Sequence, residues 1–442
     1  MKTTFEAASR ILFSSRQRSF LLVITIMALI IRLGMIAFES HPQQIIDDPR
    51  HTLLYEHGAI ARNLYTGHGF SMQWPYGSFD STRAAAMKEP PKWEGAFLPP
   101  LNPYLLYLSY EIFGEKASAL YAMMTLYAIV SCFIPFAVYK LGCLLGSESS
   151  ARVSALIAVL FLPSAYAVVT FSGSALYQLL GVTVLYFAVL SAQRPSYRSF
   201  LLLGLSCGIM TQLRSEFFFL GFLLIVISIM LARSNSREIL RKGFAGVLLC
   251  VAIIAPWTIR NYMIFHQFVP VLSHPWYEMW RGDNPQASGT TLNEGGQSVW
   301  VTTSNYPQLT RRMDSIPYNQ FFEAKVDGIF KDEVISFVLH QPAQFLWLGT
   351  KKLAYFFTID PHQPTCRNSL YFIPMLFVSS LTLLGLYRFS RDRSKRNAFM
   401  MIIVFFGTYL IMTFMTVMLA RYQIYVFTCM LPVTGLAFFP LN

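Results

Sequence analysis

The sequence predicts an all-α protein that crosses a membrane many times. Of its 442 residues, 54% are hydrophobic and 13% are charged, whereas an ordinary soluble domain has about 25% charged residues. The mean hydropathy of +0.44 is too high for one membrane anchor, because each crossing needs only about 20 apolar residues. These observations exclude a soluble enzyme and favour a single membrane domain over residues 1–442, a bundle of about ten to twelve transmembrane helices.

Hydropathy and loop charge place ten crossings along the chain. They lie at 20–38, 117–139, 153–171, 175–193, 200–213, 217–232, 244–259, 369–387, 398–419 and 422–439. Seventeen of the 35 Lys and Arg residues fall in the N-terminal tail and in four short loops, 140–152, 194–198, 233–242 and 388–396. A threading with both termini in the cytoplasm keeps all four loops inside, as the positive-inside rule requires. The net charge of +12 therefore needs no nucleic-acid partner.

Two long segments, 39–116 and 260–368, face outward in this threading. Both exceed the usual length of a structureless loop, so we expect them to be folded and functional. Within them, the short apolar runs 101–113 and 345–359 are expected to be helices in the outer interface rather than crossings. The chain has no N-x-Ser/Thr sequon, which favours a bacterial inner membrane over a eukaryotic lumen.

Three arginines lie at crossing ends on the predicted outer side: Arg214, Arg260 and Arg421, the last followed by Tyr422. A charged side chain in hydrocarbon costs at least about 2.5 to 3.5 kcal/mol, so each arginine needs a reason. Contact with outer headgroups, or for Arg214 a pairing with Glu216, explains any one of them. Three together, opposite the positive-inside bias, favour an anionic ligand, and the planar guanidinium group suits a phosphate.

The first long segment supplies carboxylates on the same side. Asp47 and Asp48 precede Pro49, and the residues that follow, HTLLYEHGAIARNLYTGHGF, have the apolar spacing of an amphipathic helix about four turns long. Asp48 followed by Pro49 is typical of a helix N-cap with proline at the first helical position. Asp47 is not needed for that cap, and Glu56 projects from the helix one to two turns further on. All three are candidates for a catalytic base.

Other polar and aromatic side chains are candidates for contact with a sugar or an acceptor. Glu94 lies among prolines just before the run 101–113. Trp280, Asp283 and Asn284 occur together in WYEMWRGDNPQASGT. A solvated loop acid explains Glu94 equally well, and tight turns with an interfacial aromatic belt explain the other three.

No cofactor is predicted. The chain has no glycine-rich phosphate loop and no Cys/His pair at zinc spacing. Adjacent carboxylates such as Asp47 and Asp48 point away from each other on a helical or extended backbone. A divalent metal is therefore the less favoured alternative.

Six stretches, in this order, resemble the GT-C superfamily of integral-membrane glycosyltransferases, specifically the bacterial group similar to protein mannosyltransferases and the lipid A aminoarabinose transferase. They are YEHGAIARNLYTGHGF, FLPPLNPYLLYLSYEIFG, TQLRSEFFFLGF, APWTIRNYMIFHQFVPV, WRGDNPQASGT and ARYQIYVF. The resemblance implies transfer of a sugar from a polyprenyl-phosphate donor at the outer face. It also implies a base early in the first outer loop and outer arginines on the lipid phosphate. The commoner family form has an acid where this chain has Leu53, so the base stays open among Glu56, Asp48 and Asp47.

The residues and the resemblance together predict a polyprenyl-phosphate-sugar glycosyltransferase whose acceptor is a lipid, a glycan or a protein. A polyprenyl phosphate leaves readily once its charge is balanced, so one base and phosphate-binding cations suffice. One alternative is a lipid-linked-sugar transporter or flippase, which is expected to carry ionisable groups at the membrane midplane. Here the charged groups gather at the outer ends of crossings. The other is an O-antigen-type ligase or polymerase, which usually concentrates its arginines in one large late loop.

Overall fold

The computed structural model describes residues 15–47, 54–71, 94–232, 236–292, 306–317 and 319–439. These ranges are helical, apart from loops and one isolated parallel β-bridge between Thr290 and Met418. The helices up to the middle of the chain are α1 (Ser15–Glu39), α2 (Pro42–Asp47), α3 (Tyr55–Tyr65), α4 (Leu101–Phe113), α5 (Ala117–Ser131), α6 (Ile134–Leu145), α7 (Glu148–Leu160), α8 (Leu162–Tyr166), α9 (Ser174–Gln193), α10 (Tyr197–Thr211) and α11 (Phe217–Leu231). They continue with α12 (Ser236–Phe265), α13 (Pro275–Gly282), α14 (Pro307–Asp314), α15 (Phe322–His340), α16 (Pro342–Phe357), α17 (Ser369–Ser390), α18 (Arg396–Met415) and α19 (Ala420–Thr434).

A helix occupies each of the ten predicted crossings. Six stretches are long and apolar enough to span a membrane by themselves: Ser15–Glu39, Ala117–Leu145, Ser174–Gln193, Arg237–Phe265, Ser369–Ser390 and Arg393–Met415. A seventh combines α7 with the residues up to Val169, bent by 52° beside Pro163, which has no backbone N–H to continue the helix. The all-α, polytopic fold class is thus confirmed.

Among the described residues, up to seven stretches are long enough to cross a membrane by themselves, fewer than the predicted ten to twelve transmembrane helices. The remaining three helices, α10, α11 and α19, have 15 residues each, which is only about 22 Å at 1.5 Å per residue. The hydrocarbon core of a bilayer is about 30 Å thick. Hydropathy alone therefore located these helices, but it carried the last one to 439, beyond its end at Thr434, because the apolar run continues into the turn that follows.

Two of the hydrophobic clusters among the described residues position the site. The larger lies within the bundle around α9, which packs against α5, α6, α10, α11, α18 and α19. The smaller core joins the two long segments, with Ile60 and Phe97 from the first and Tyr277 and Phe330 from the second, beside Trp257 of α12. The two long segments therefore fold against each other at the C-terminal end of α12.

One charge lies inside the bundle, contrary to the expectation that charged groups gather at the outer ends of crossings. Arg32 of α1 is fully buried. Its Nε donates to Oγ of Ser131 (2.8 Å) and its Nη1 to the carbonyl of Ala28 (3.1 Å). Ser131 ends α5, where the span turns into α6, so Arg32 ties α1 to this break in the neighbouring span.

Candidate active site

The candidate site centres on Arg421, the second residue of α19. The Nε atom of its guanidinium group is buried and has no hydrogen-bond partner, and among the described residues its close contact is with the Tyr422 ring. Buried polar groups in proteins are normally hydrogen-bonded. A half-buried guanidinium group whose Nε lacks such a bond is therefore a candidate for binding a ligand.

Arg214 approaches the same ring from another part of the chain. The guanidinium carbon of Arg214 lies 4.5 Å from the Tyr422 ring centroid, and that of Arg421 lies 5.5 Å from it. Because both distances end at one centroid, the two guanidinium carbons are at most 10.0 Å apart. The structure thus brings together two of the three predicted phosphate ligands.

Arg214 differs from Arg421 in that its charge is already compensated. Its Nε donates to Glu216, and that carboxylate also accepts a hydrogen bond from the Tyr409 hydroxyl (3.0 Å). The rings of Tyr177 and Tyr425 also lie within 4.7 Å and 4.9 Å of its guanidinium carbon. Aromatic faces attract cations at this range, so the position of Arg214 is tightly set. Arg421 is the less compensated cation of the two.

Glu56 supplies a carboxylate close to this pair. It lies in the first turn of α3 and is half-buried. Its charge acts electrostatically on Arg421, on Arg281 of α13 and on the Tyr277 hydroxyl. Beside it, His57 is buried, and burial together with the charge of Arg421 lowers the pKa of its imidazole to about 3. His57 is therefore neutral at physiological pH.

The second long segment adds an ion pair that sequence reasoning did not single out. Glu278 and Arg281 of α13 are joined by contacts of 3.2 Å. Burial tends to raise the pKa of Glu278, but the guanidinium groups of Arg281 and Arg421 outweigh burial and lower it. A sign was present in the sequence, because a glutamate three residues before an arginine shares a helix face with it. Its distance from Arg421 could not be read from the sequence.

Two acids of α15 hold α13 in place. Asp327 accepts from the backbone N–H groups of Trp276 (2.9 Å) and Tyr277 (3.0 Å), and so caps the first turn of α13. Burial raises the pKa of Asp327 to about 7. One turn earlier, Glu323 accepts from the backbone N–H of Ala96 (3.1 Å), which ties the first long segment to the second.

Arg260 occupies a separate set of contacts. Its guanidinium group donates to Glu94 and to the carbonyl of Gly95 (2.5 Å), and its guanidinium carbon lies 4.6 Å from the Trp257 ring centroid. Within the described residues, Arg260 shares none of these partners with Arg214 or Arg421. Glu94, a predicted acceptor contact, is thus the ion-pair partner of Arg260.

Trp280, Asp283 and Asn284 are engaged in internal contacts. Trp280 is buried, and its ring centroid lies 5.0 Å from the ring centroid of Tyr306 and 5.0 Å from that of Phe330. It therefore has no face free to stack on a sugar. Asp283 is buried in an ion pair with Lys352 (2.8 Å). Asn284 donates to the carbonyl of Trp280 (2.8 Å). These internal contacts of the three side chains pack the second long segment.

The remaining base candidates lie at the end of α2. Asp47 is exposed and accepts a hydrogen bond from Gln43 (2.8 Å), and Asp48 lies outside the described residues. The helix α3 begins at Tyr55 without a side-chain cap, and the predicted cap at Asp48 and Pro49 lies outside the described residues. Among the described residues, no group of three or more His, Cys, Asp or Glu side chains is arranged to hold a metal ion.

Comparisons with known proteins address the fold. Residues 98–259 match the family model of dolichyl-phosphate-mannose-protein mannosyltransferases; this range includes Arg214 but neither Glu56 nor Arg421. The oligosaccharyltransferase AglB from Archaeoglobus fulgidus, solved with an inhibitory peptide and a dolichol-phosphate, superposes over 96% of this chain with 11% identity and a TM-score of 0.52. Its apo form superposes over 96% of this chain with 11% identity and a TM-score of 0.53. The chain therefore shares the fold of the part of this oligosaccharyltransferase that it superposes on.

The chain spans about half the length of the archaeal oligosaccharyltransferase, 50% in the dolichol-phosphate complex and 51% in the apo form. ArnT from Cupriavidus metallidurans also aligns, with 13% identity over 95% of this chain and 77% of ArnT, and with a TM-score of 0.38. No curated protein matches the sequence significantly.

Proposed function

We propose that this chain is a glycosyltransferase that moves a sugar from a polyprenyl-phosphate donor to an acceptor at the outer face of a bacterial inner membrane. The observation that carries the proposal is the site around Tyr422, where the buried Nε atom of Arg421 has no hydrogen-bond partner among the described residues. Arg214 lies within 10.0 Å of it, and Glu56 is in electrostatic range. The dolichol-phosphate bound by AglB supports a lipid phosphate as the ligand.

The reaction needs one base and one stabilised leaving group. Glu56 accepts the proton of the acceptor hydroxyl or amine as that atom bonds to the anomeric carbon of the sugar. The bond between the anomeric carbon and the phosphate oxygen breaks, and its electron pair stays on the phosphate. The leaving polyprenyl phosphate gains one negative charge, which Arg421 stabilises by charge-assisted hydrogen bonds. No second carboxylic acid is required, because a phosphate leaves without protonation, unlike the alcohol that a glycosidase expels.

Glu56 is a better candidate for the base than Glu278, although both act on Arg421. Glu278 is bound to Arg281 (3.2 Å) and its pKa is lowered, so it is a weak proton acceptor. A carboxylate with a guanidinium partner is better suited to orient Arg421. Glu56 makes no hydrogen bond to a described side chain, and it lies on the helix that follows α2 at the edge of the bundle.

The proposal is tested with purified protein in proteoliposomes. Dolichyl-phosphate mannose is supplied first, followed by polyprenyl phosphates that carry other sugars, and release of the free lipid phosphate is followed by mass spectrometry. We expect at least one donor to be cleaved, and cleavage to disappear in Arg421→Gln. Movement of an intact donor across the bilayer without cleavage would instead identify a transporter and refute the proposal.

A further inference from the structure

The backbone just before Arg421 is held by the second long segment. The N–H of Val417 donates to the carbonyl of Glu278 (3.1 Å), and the N–H of Met418 donates to the carbonyl of Gly289 (3.0 Å). Gly282 lies so close that a Cβ atom there would come within 2.7 Å of the Val417 nitrogen. The segment 278–290, which is the end of α13 and the loop after it, therefore contacts residues 416–418, which lead into α19.

A buried ion pair fixes this loop to α16. The Nζ atom of Lys352 lies 2.8 Å from both carboxylate oxygens of Asp283, and both side chains are fully buried. Gly289 has a φ of 90° and lies on the Lys352 side chain, where a Cβ atom would come within 2.8 Å of Cγ. Removing one partner of such a pair leaves an uncompensated buried charge, so the pair holds the loop firmly in place.

The same helix holds the chain just after Arg421. The Nε2 atom of Gln423 donates to the carbonyls of Phe356 (2.8 Å) and Thr358 (2.9 Å) at the C-terminal end of α16. These carbonyls are among the last of the helix and have no partner within it. On its other side, Gln423 accepts a hydrogen bond from the Tyr371 hydroxyl (2.8 Å). The helix α16 is thus linked to the chain on both sides of Arg421, through Asp283 and the segment 278–290 before it and through Gln423 after it.

We infer that Lys352, Asp283 and Gln423 are positioning residues that place the Arg421 guanidinium group on the donor phosphate. The inference rests on the proposed function, in which Arg421 binds that phosphate. A phosphate ligand that is misplaced by about 1 Å can cost on the order of 100-fold in rate. Loss of the ion pair should therefore weaken phosphate binding through Arg421 and not through the fold as a whole.

A double-mutant cycle tests this inference, with the affinity for dolichol-phosphate and the thermal midpoint as readouts. The variants are Lys352→Met, Arg421→Gln and the double variant, with Lys351→Met as the matched control on the same helix. We expect Lys352→Met to weaken binding at least about 10-fold and to have no further effect when Arg421→Gln is already present. The control Lys351→Met should bind dolichol-phosphate as the natural chain does. Gln423→Leu replaces Lys352→Met if the latter does not fold.

The outcomes separate the two proposals. If Arg421→Gln binds dolichol-phosphate as tightly as the natural chain, the proposed function fails and the positioning role with it. If Arg421→Gln weakens binding and Lys352→Met weakens it by the same factor in both backgrounds, only the positioning role is overturned. A lowered thermal midpoint with unchanged affinity in Lys352→Met would also overturn it.

Discussion

Replacing Arg421 with lysine should separate the geometry of the phosphate site from its charge. Lysine keeps the positive charge near Glu56 and Glu278 and can still lie against the Tyr422 ring, but it lacks the planar fork that makes two parallel hydrogen bonds. The Arg421 guanidinium carbon lies 5.5 Å from that ring centroid, and its Nε has no hydrogen-bond partner among the described residues. Both arms of the fork are therefore expected to serve the donor.

The size of the effect follows from the hydrogen bonds lost. A hydrogen bond to a charged group contributes roughly 1.5 to 3 kcal/mol, and each 1.36 kcal/mol is a factor of ten. Losing one of two such bonds predicts a transfer rate roughly 10- to 150-fold lower for Arg421→Lys. The Tyr422 contact should change little, since rings attract ammonium and guanidinium groups alike.

The assay is the initial rate of lipid-phosphate release from the donor identified in proteoliposomes, with thermal midpoints recorded in parallel. Arg312→Lys is the matched control, because Arg312 is exposed in an ion pair with Asp332 (3.4 Å) and Glu333, and such pairs contribute little. Its rate should stay within about 2-fold of the natural chain. An Arg421→Lys rate equally close to the natural chain would refute a two-pronged contact with the phosphate.

Three further predictions concern the base, the support of α13 and the orientation. Glu56→Gln should lower the transfer rate by roughly 100-fold or more while dolichol-phosphate affinity is kept, and the exposed Asp47→Asn should be nearly normal; the reverse ranking would move the base to Asp47. Burial raises the pKa of Asp327 from its usual value near 4 to about 7, so the stability tied to its proton is complete below about pH 4 and is lost as the pH rises through about 7. As the pH rises over that range, the stability of Asp327→Asn relative to the natural chain should therefore increase, by at most about 4 kcal/mol of unfolding free energy. Thermal midpoints of both proteins measure this change, and a difference that does not vary with pH would contradict it. In a cysteine-free background, an impermeant thiol reagent should label Gln267→Cys in intact cells and Glu238→Cys only after permeabilisation, and the opposite pattern would reverse the proposed orientation.

The sequence by itself determined the fold class and the position of the helices. Hydrocarbon forces every backbone polar group to bond within its own segment, so a crossing is a local property that a window of about 20 residues reveals. The same local reading located α3, where Glu56 lies, and placed arginines at the ends of helices. It also carried the last crossing to 439, beyond the end of α19 at Thr434, because hydropathy does not show where a turn begins.

Only the tertiary structure decided which of these charges meet. Arg214 and Arg421 converge on one tyrosine ring, whereas Arg260 pairs with Glu94, 166 residues away. These three arginines look alike in sequence, since each one ends or begins an apolar run. Which carboxylate reaches which guanidinium group depends on how α3, α13 and α19 pack together, and the buried pair of Asp283 and Lys352 shows the same dependence. Packing between distant residues leaves no periodicity in the chain, and for that reason the site had to be read from the structure.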